Sequence, residues 1–373
     1  MDEAGAAPGA SRDPSPRSRR LYLLLAAVLV AGAVAAVLVA SAANPRDLAT
    51  RVDVANLPVG PKAPGLGAAK GWINSDPLSA ADLRDKVVVY DFWTYSCVNC
   101  VRTLPHLRAW YDRYAGDGLV VVGVHSPEFD FEKNHDNVRD AVDRLKVDYP
   151  VALDDDMAIW NEFSNQYWPA KYIADRTGHV RYVHFGEGSY GETEAVIRKL
   201  LGVSKSAPPA RAVTEDTATK PDQTALITQE TYLGLERGSA GAQPGVVTYP
   251  AAPSTLTPGD ARLEGAWNGG DQQVTSQAAG ATIALGYRAR EVNLVMATVS
   301  GVPIEVTVEV DGRPLLPSER TAQTMVDADG STFVRVQASD LYRVVLGSSI
   351  GQHTVRLTAR SAGLEAFAFT FGT

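Results

Sequence analysis

The stretch Val87-Val-Val-Tyr-Asp-Phe-Trp-Thr-Tyr-Ser-Cys97-Val-Asn-Cys100 decides the fold. It opens as a continuous apolar run with the character of a buried strand. An aromatic turn follows, and helix-like sequence begins at Cys97. Cys97 and Cys100 are the only cysteines in the chain. Their i, i+3 spacing places both thiols on one face at a helix N-terminus. Unsatisfied amides and the helix dipole there favour a thiolate, so a lowered thiol pKa is expected. Thiol–disulfide exchange needs such a thiolate. A buried structural disulfide or half of a zinc site would use the same residues. A four-ligand zinc site would need more Cys or clustered His, and neither is present.

Asp91 interrupts the apolar run six residues before Cys97. A carboxylate among Val, Tyr and Phe is costly unless paired or protonated. The plainer alternative is a strand-end acid open to water. Beyond the cysteines, Val98–Tyr114 has helical apolar spacing, with Pro105 expected to kink it. Leu119–Val124 reads as a second buried strand and Lys133–Lys146 as an amphipathic helix. Tyr149–Leu153 and Met157–Phe163 read as a short strand and helix. Lys171–Ala174 and His179–Phe185 flank a turn as a hairpin, and Thr193–Leu201 reads as a closing helix. Strand–helix alternation ending in a hairpin and helix predicts a mixed α/β sheet.

The composition changes after Leu201. Residues 204–223 are rich in Ser, Ala, Pro and Thr and read as a linker. Short β-rich runs then recur: Ala281–Tyr287, Glu291–Ala297, Ile304–Val310, Phe333–Val336, His353–Thr358 and Glu365–Phe371. Turn signals such as Asp311-Gly312 separate them, which predicts an antiparallel sandwich. Trp267, Tyr232, Tyr249, Tyr287 and Tyr342 could serve as sugar-binding platforms or as core, and core packing is the commoner use.

The chain has 373 residues, with 35 basic against 43 acidic. No basic stripe with interleaved aromatics points to nucleic acid. Residues 1–20 are polar and end in Arg17, Arg19 and Arg20. Residues 21–43 carry no charge and are long enough to cross a membrane as one helix. The preceding arginines place the tail in the cytoplasm and the bulk outside. An uncleaved signal anchor is the favoured reading. A cleaved export signal is the alternative, with Ala40-Ser41-Ala42 as its site and Ser18-Arg19-Arg20-Leu21 resembling a twin-arginine signal.

The run around the cysteines resembles the active-site strand and turn of the thioredoxin superfamily, in particular TlpA/DipZ-type exported thiol-disulfide oxidoreductases. The similarity continues through Gly123-Val-His-Ser-Pro-Glu-Phe129, Gln166-Tyr-Trp-Pro-Ala-Lys-Tyr172 and His184-Phe-Gly-Glu-Gly188. Glu230-Thr-Tyr-Leu-Gly234 and Ala366-Phe-Ala-Phe-Thr-Phe-Gly372 resemble the carbohydrate-module-like sandwich that follows the thioredoxin domain in DipZ-type proteins. In place of the polytopic electron-importing domain of that family, a single apolar segment is expected here.

The resemblance implies a thioredoxin-like α/β domain, an all-β jelly-roll-like sandwich and a preceding transmembrane helix. The expected divisions are a tail (1–20), an anchor (21–43), a stalk with the thioredoxin-like domain (44–203), a linker (204–223) and a β-sandwich (224–373). Cys97 is the expected attacking thiol and Cys100 the resolving one. The resemblance places Asp91 beneath the dithiol as a proton carrier. It makes Pro169 a cis-proline against which a substrate strand pairs. Trp93, Tyr95, Val98, Asn99 and Trp168 are expected to shape the substrate rim, and Glu128 and Glu187 are further candidates. No cofactor or metal is expected beyond the Cys97–Cys100 redox couple. The expected partners are protein disulfides or dithiols, a membrane or extracytoplasmic electron donor, and a glycan or envelope partner for the sandwich.

Two rival functions use the same residues. A thiol peroxidase motif would put Pro seven and Thr three residues before the reactive Cys. Thr94 fits, but Tyr90 holds the proline position. The other rival is an anchored envelope-binding protein with a merely structural disulfide.

Overall fold

The computed structural model describes residues 53–204, 206–210 and 227–373. The tail, the expected anchor 21–43 and most of the linker lie outside the described residues. Among the described residues, no helix is long and apolar enough to cross a membrane.

The quoted apolar run forms β2 (Val87–Trp93), in which every residue is buried. It is a central strand of a six-stranded sheet ordered β1-β4-β3-β2-β5-β6. The others are β1 (Gly71–Ile73), β3 (Leu119–His125), β4 (Val151–Leu153), β5 (Ala170–Ala174) and β6 (Val180–Phe185). β2, β3 and β4 run parallel, while β1, β5 and β6 are antiparallel to their neighbours. This is the expected mixed sheet with its terminal hairpin. In the register, Asp91 lies between Gly123 of β3 and Lys171 of β5.

Helix α1 (Val98–Tyr114) starts where the turn after β2 ends, and its assignment is unbroken through Pro105. It buries Val98, Leu104, Leu107, Trp110 and Tyr114. Helix α2 (His135–Arg144) is shorter than the expected 133–146. A 3-10 turn occupies Asp130–Lys133, and the Asn134 side chain caps α2 by accepting from Asp136 N–H at 2.9 Å. α3 (Ala158–Glu162) is brief, and α4 (Tyr190–Leu201) ends at Gly202, whose φ of 76° suits a residue without Cβ.

The C-terminal lobe is one connected antiparallel sheet of eleven strands. These are β7 (Thr231–Tyr232), β8 (Gly245–Tyr249), β9 (Ala261–Gly269), β10 (Val274–Ser276), β11 (Thr282–Thr298), β12 (Ile304–Val310), β13 (Arg313–Pro314), β14 (Met325–Val326), β15 (Thr332–Val336), β16 (Asp340–Ala359) and β17 (Leu364–Gly372). Two runs read from sequence as separate strands are the halves of β11. A register shift between Ala289 and Glu291 joins them. The first half pairs with β9 and the second with β17, while β16 pairs along both. Pairing continues from β17 through β10 back to β9, which closes a circuit. Trp267, Tyr287 and Tyr342 are buried in this lobe's core, so they offer no sugar platform.

The two sheets share an apolar seam. Phe129 and Phe131, from the segment after β3, pack on Phe367 of β17 with ring centroids 5.1 and 4.8 Å apart. Val295, Ala297 and Ala368 complete the cluster. Burying one such phenylalanine contributes about 1.5–3 kcal/mol. Arg144 also pairs with Asp340 across the seam at 2.7 Å. Residues Val54–Thr373 form one compact unit containing both sheets.

Candidate redox site

Cys97 is the N-cap of α1, and its Sγ accepts from Cys100 N–H at 3.2 Å. Cys97 is partly exposed, while Cys100 is buried. Both are free thiols with Sγ atoms 2.6 Å apart. A bond between them therefore requires little movement.

The electrostatics qualify the expectation of a lowered thiol pKa. Burial pushes the Cys97 thiol up, hydrogen bonds from Cys100 pull it down, and Glu128 and Glu230 push it up again. The net direction is upward, because apolar surroundings outweigh the cap. Cys100 is pushed well above its ordinary value, first by burial, then by Cys97, with the Asp91 charge adding to it. The pair thus holds its protons until a substrate or a proton acceptor draws one away.

Asp91 is fully buried, which excludes the solvent-exposed alternative. Burial raises its carboxyl to about 7, against the opposing pull of Lys171. Lys171 is also fully buried, with Nζ 3.8 Å from Asp91 Oδ1. Neither carboxylate oxygen nor Nζ has a hydrogen-bond partner. Burial lowers the Lys171 pKa, while Asp91, Cys100, Glu187 and Cys97 pull it up. These mutual influences place an unsolvated acid–base pair beside the dithiol. Sequence reading passed over Lys171. Its signal was a lysine in an otherwise apolar strand two residues after Pro169.

The Trp168–Pro169 peptide bond is cis. Ala170 lies opposite Phe92, so Pro169 sits at the sheet end from which the Cys97 turn departs. Trp168 is partly buried, packs tilted against Trp160 with ring centroids 4.1 Å apart and donates Nε1–H to Ser126 O at 3.0 Å. Asn99 is exposed beside the cysteines.

Trp93, Tyr95 and Val98 do not form a rim. They are 0 %, 1 % and 1 % exposed. Trp93 fills the space that Gly123 leaves, since a Cβ there would come within 2.9 Å of its indole nitrogen. Tyr95 stacks on His125 at 5.7 Å. These aromatics anchor the turn from below.

A buried polar network holds the same turn. Ser96 Oγ donates to Glu132 Oε1 at 2.6 Å, and Glu132 Oε2 accepts from the amides of Glu128 and Phe129. Thr94 Oγ1 meets His125 Nε2 at 3.3 Å. Glu132 was also missed by sequence reading, because it stands between the strand read as Leu119–Val124 and the helix read from Lys133, where no local pattern marks burial. Among the described residues, no group of three or more His, Cys, Asp or Glu could hold a metal.

The fold and this geometry define a thioredoxin-like protein with a dithiol at a helix start. Residues 59–183 match the AhpC/TSA family model, and residues 228–372 match the thioredoxin-like C-terminal domain model. Thiol-disulfide oxidoreductase YkuV of Bacillus subtilis is 30% identical over 138 residues, covering 37% of this chain and 93% of that protein. The chain belongs to the thiol-disulfide oxidoreductases of the thioredoxin superfamily. Protein DipZ of Mycobacterium tuberculosis is 37% identical over 320 residues, covering 83% of this chain. The chain spans 43% of that longer relative. The solution structure of a thioredoxin-like protein in the oxidized form is 27% identical, covers 39% of this chain and 97% of that chain, and gives a TM-score of 0.35.

Proposed function

We propose that this oxidoreductase is a membrane-tethered reductase of protein disulfides, acting outside the cytoplasm through Cys97 and Cys100. The observation that carries the reading is a partly exposed Cys97 Sγ with the buried Cys100 Sγ 2.6 Å behind it. The Cys97 sulfur attacks a substrate disulfide and forms a mixed disulfide, and the departing substrate thiolate takes up the proton that Cys97 loses. Asp91 takes the proton from Cys100, whose thiolate then attacks Cys97 Sγ. The second substrate thiolate leaves, and a Cys97–Cys100 disulfide remains. Two electrons have passed to the substrate, and an extracytoplasmic dithiol donor restores the reduced pair.

Pro169, Trp168 and Asn99 are the residues we assign to substrate contact. Tethering rests on the uncharged run 21–43 behind Arg17, Arg19 and Arg20. The domain divisions at 203 and 224 rest on composition, with the two family matches falling on either side. For the C-terminal lobe we favour a two-layered fold of the jelly-roll kind. A peroxidase reading is weaker, because a neighbouring thiol so close to Cys97 would capture an oxidised Cys97 as a disulfide.

The deciding experiment is mixed-disulfide trapping with a model protein disulfide. Cys100→Ser should accumulate a covalent adduct, and Cys97→Ser should form none and lose exchange. Full exchange by Cys97→Ser would end this reading.

A further inference from the structure

The C-terminal lobe holds the segment after β3 residue by residue. The Tyr232 hydroxyl of β7 lies 2.7 Å from Glu128 Oε1, and Arg237 pairs with the same oxygen at 2.9 Å. Phe129 and Phe131 pack on Phe367. Between them, the Asp130 N–H donates to Gln272 Oε1 at 2.9 Å. Residues 128–131 are thus fixed from the other lobe.

Glu132 comes next and faces the opposite way, into the redox lobe. It is fully buried. Its Oε2 accepts from the amides of Glu128 and Phe129 at 2.6 and 3.0 Å, and its Oε1 accepts from Ser96 Oγ at 2.6 Å. Ser96 is 2 % exposed and adjoins Cys97. One carboxyl group therefore fastens the loop held by the C-terminal lobe to the turn that presents the attacking sulfur. Hydrogen bonds to a carboxylate are shorter and stronger than those between neutral groups. Tyr95 of the same turn also lies against Phe131, with ring centroids 6.1 Å apart, but an apolar contact fixes no direction.

The placement of this turn matters to the sulfur. Cys97 Sγ accepts from Cys100 N–H at 3.2 Å, which requires the turn to end in line with α1. That bond favours the thiolate, while burial disfavours it.

We propose that Glu132 is a positioning residue for Cys97, through which the C-terminal lobe sets the reactivity of the attacking thiol. The inference goes beyond the exchange reading. It gives the β-rich lobe a role that needs no glycan.

Glu132→Ala would leave three buried donors without partners, so the link is cut instead at Ser96. The test is a double-mutant cycle on the full reduced chain, with Ser96→Ala at one end and Phe367→Leu at the other. Its readout is the rate at which iodoacetamide alkylates Cys97, followed by mass spectrometry where circular dichroism shows every variant folded. This rate needs no substrate disulfide, so its outcome is separate from that of mixed-disulfide trapping. A merely structural Glu132 would change stability and leave the rate alone. Each single variant should slow alkylation roughly threefold, the scale of one lost hydrogen bond. The double variant should be no slower than the slower single one. A rate unchanged in either single variant would overturn the proposal. So would single effects that multiply in the double variant, which would route the lobe's influence through Tyr95 and Phe131 instead.

Discussion

Lys171 Nζ lies 3.8 Å from Asp91 Oδ1, across the β2–β5 register and wholly out of solvent. Each residue is the other's only charged neighbour within ion-pair distance among the described residues, and neither makes a hydrogen bond. Lys171 compensates the carboxylate only in part, since burial still holds the Asp91 carboxyl at about 7 against its pull.

Asp91→Asn should leave stability near that of the wild type below about pH 4 and raise it above about pH 7, because burial disfavours the ionised carboxylate more than Lys171 favours it. Urea unfolding of the variant and the wild-type chain at both pH values measures this. A variant no more stable than the wild type above about pH 7 would show that the buried carboxylate costs nothing there.

The raised Asp91 pKa sets a sign for the pH dependence of stability. The unfolded chain ionises Asp91 near its ordinary value of 3.8, while the folded chain keeps the proton to about 7. Between these limits the folded state holds more protons than the unfolded state. The Asp91 contribution to stability is thus full below about 4, declines as pH rises through this window, and levels off above about 7. Subtracting the Asp91→Asn profile from that of the wild type should reveal the decline. A flat difference between pH 4 and 7 would contradict the burial of this carboxyl.

Lys171 should act on the rate through Asp91. Its charge holds the Asp91 pKa down. Lys171→Met should shift the acid limb of mixed-disulfide resolution to higher pH, because only ionised Asp91 can accept the Cys100 proton. Stopped-flow resolution rates from pH 5 to 9 would show the shift. The initial attack by Cys97 should change less. An unmoved limb would remove Lys171 from the mechanism and leave it a structural cation.

Phe367→Ala should open the seam between the lobes. Truncating a buried phenylalanine costs about 3–5 kcal/mol. Phe367 is 4 % exposed and touches two aromatic rings of the redox lobe. Calorimetry should show a lower transition and a separation of the two lobes' unfolding. A single unshifted transition would mean that the seam adds nothing to cohesion.

The sequence by itself determined the redox lobe. The apolar run Val87–Trp93, the turn and the Cys97-Val-Asn-Cys100 spacing are local signals, and strand pairing did not have to be known to read them. Burial of Asp91 was also legible, because a carboxylate inside a continuous apolar strand has few other settings. The tertiary structure alone decided what opposes that carboxylate. Lys171 is distant in the chain, and only the antiparallel β2–β5 register brings it across from Asp91. Trp93 and Tyr95 read as rim because they adjoin the cysteines, yet the space at Gly123 and the His125 ring drew them inward. In the C-terminal lobe, Gly347 and Gly351 carry turn-like character but lie within the twenty-residue β16. Pairing with β11 holds its two flanks, up to Leu346 and from Gly351 onward, in extended conformation. The same long-range packing sets the Tyr232 hydroxyl of β7 against Glu128 of the redox lobe, a meeting of distant segments that no local pattern records.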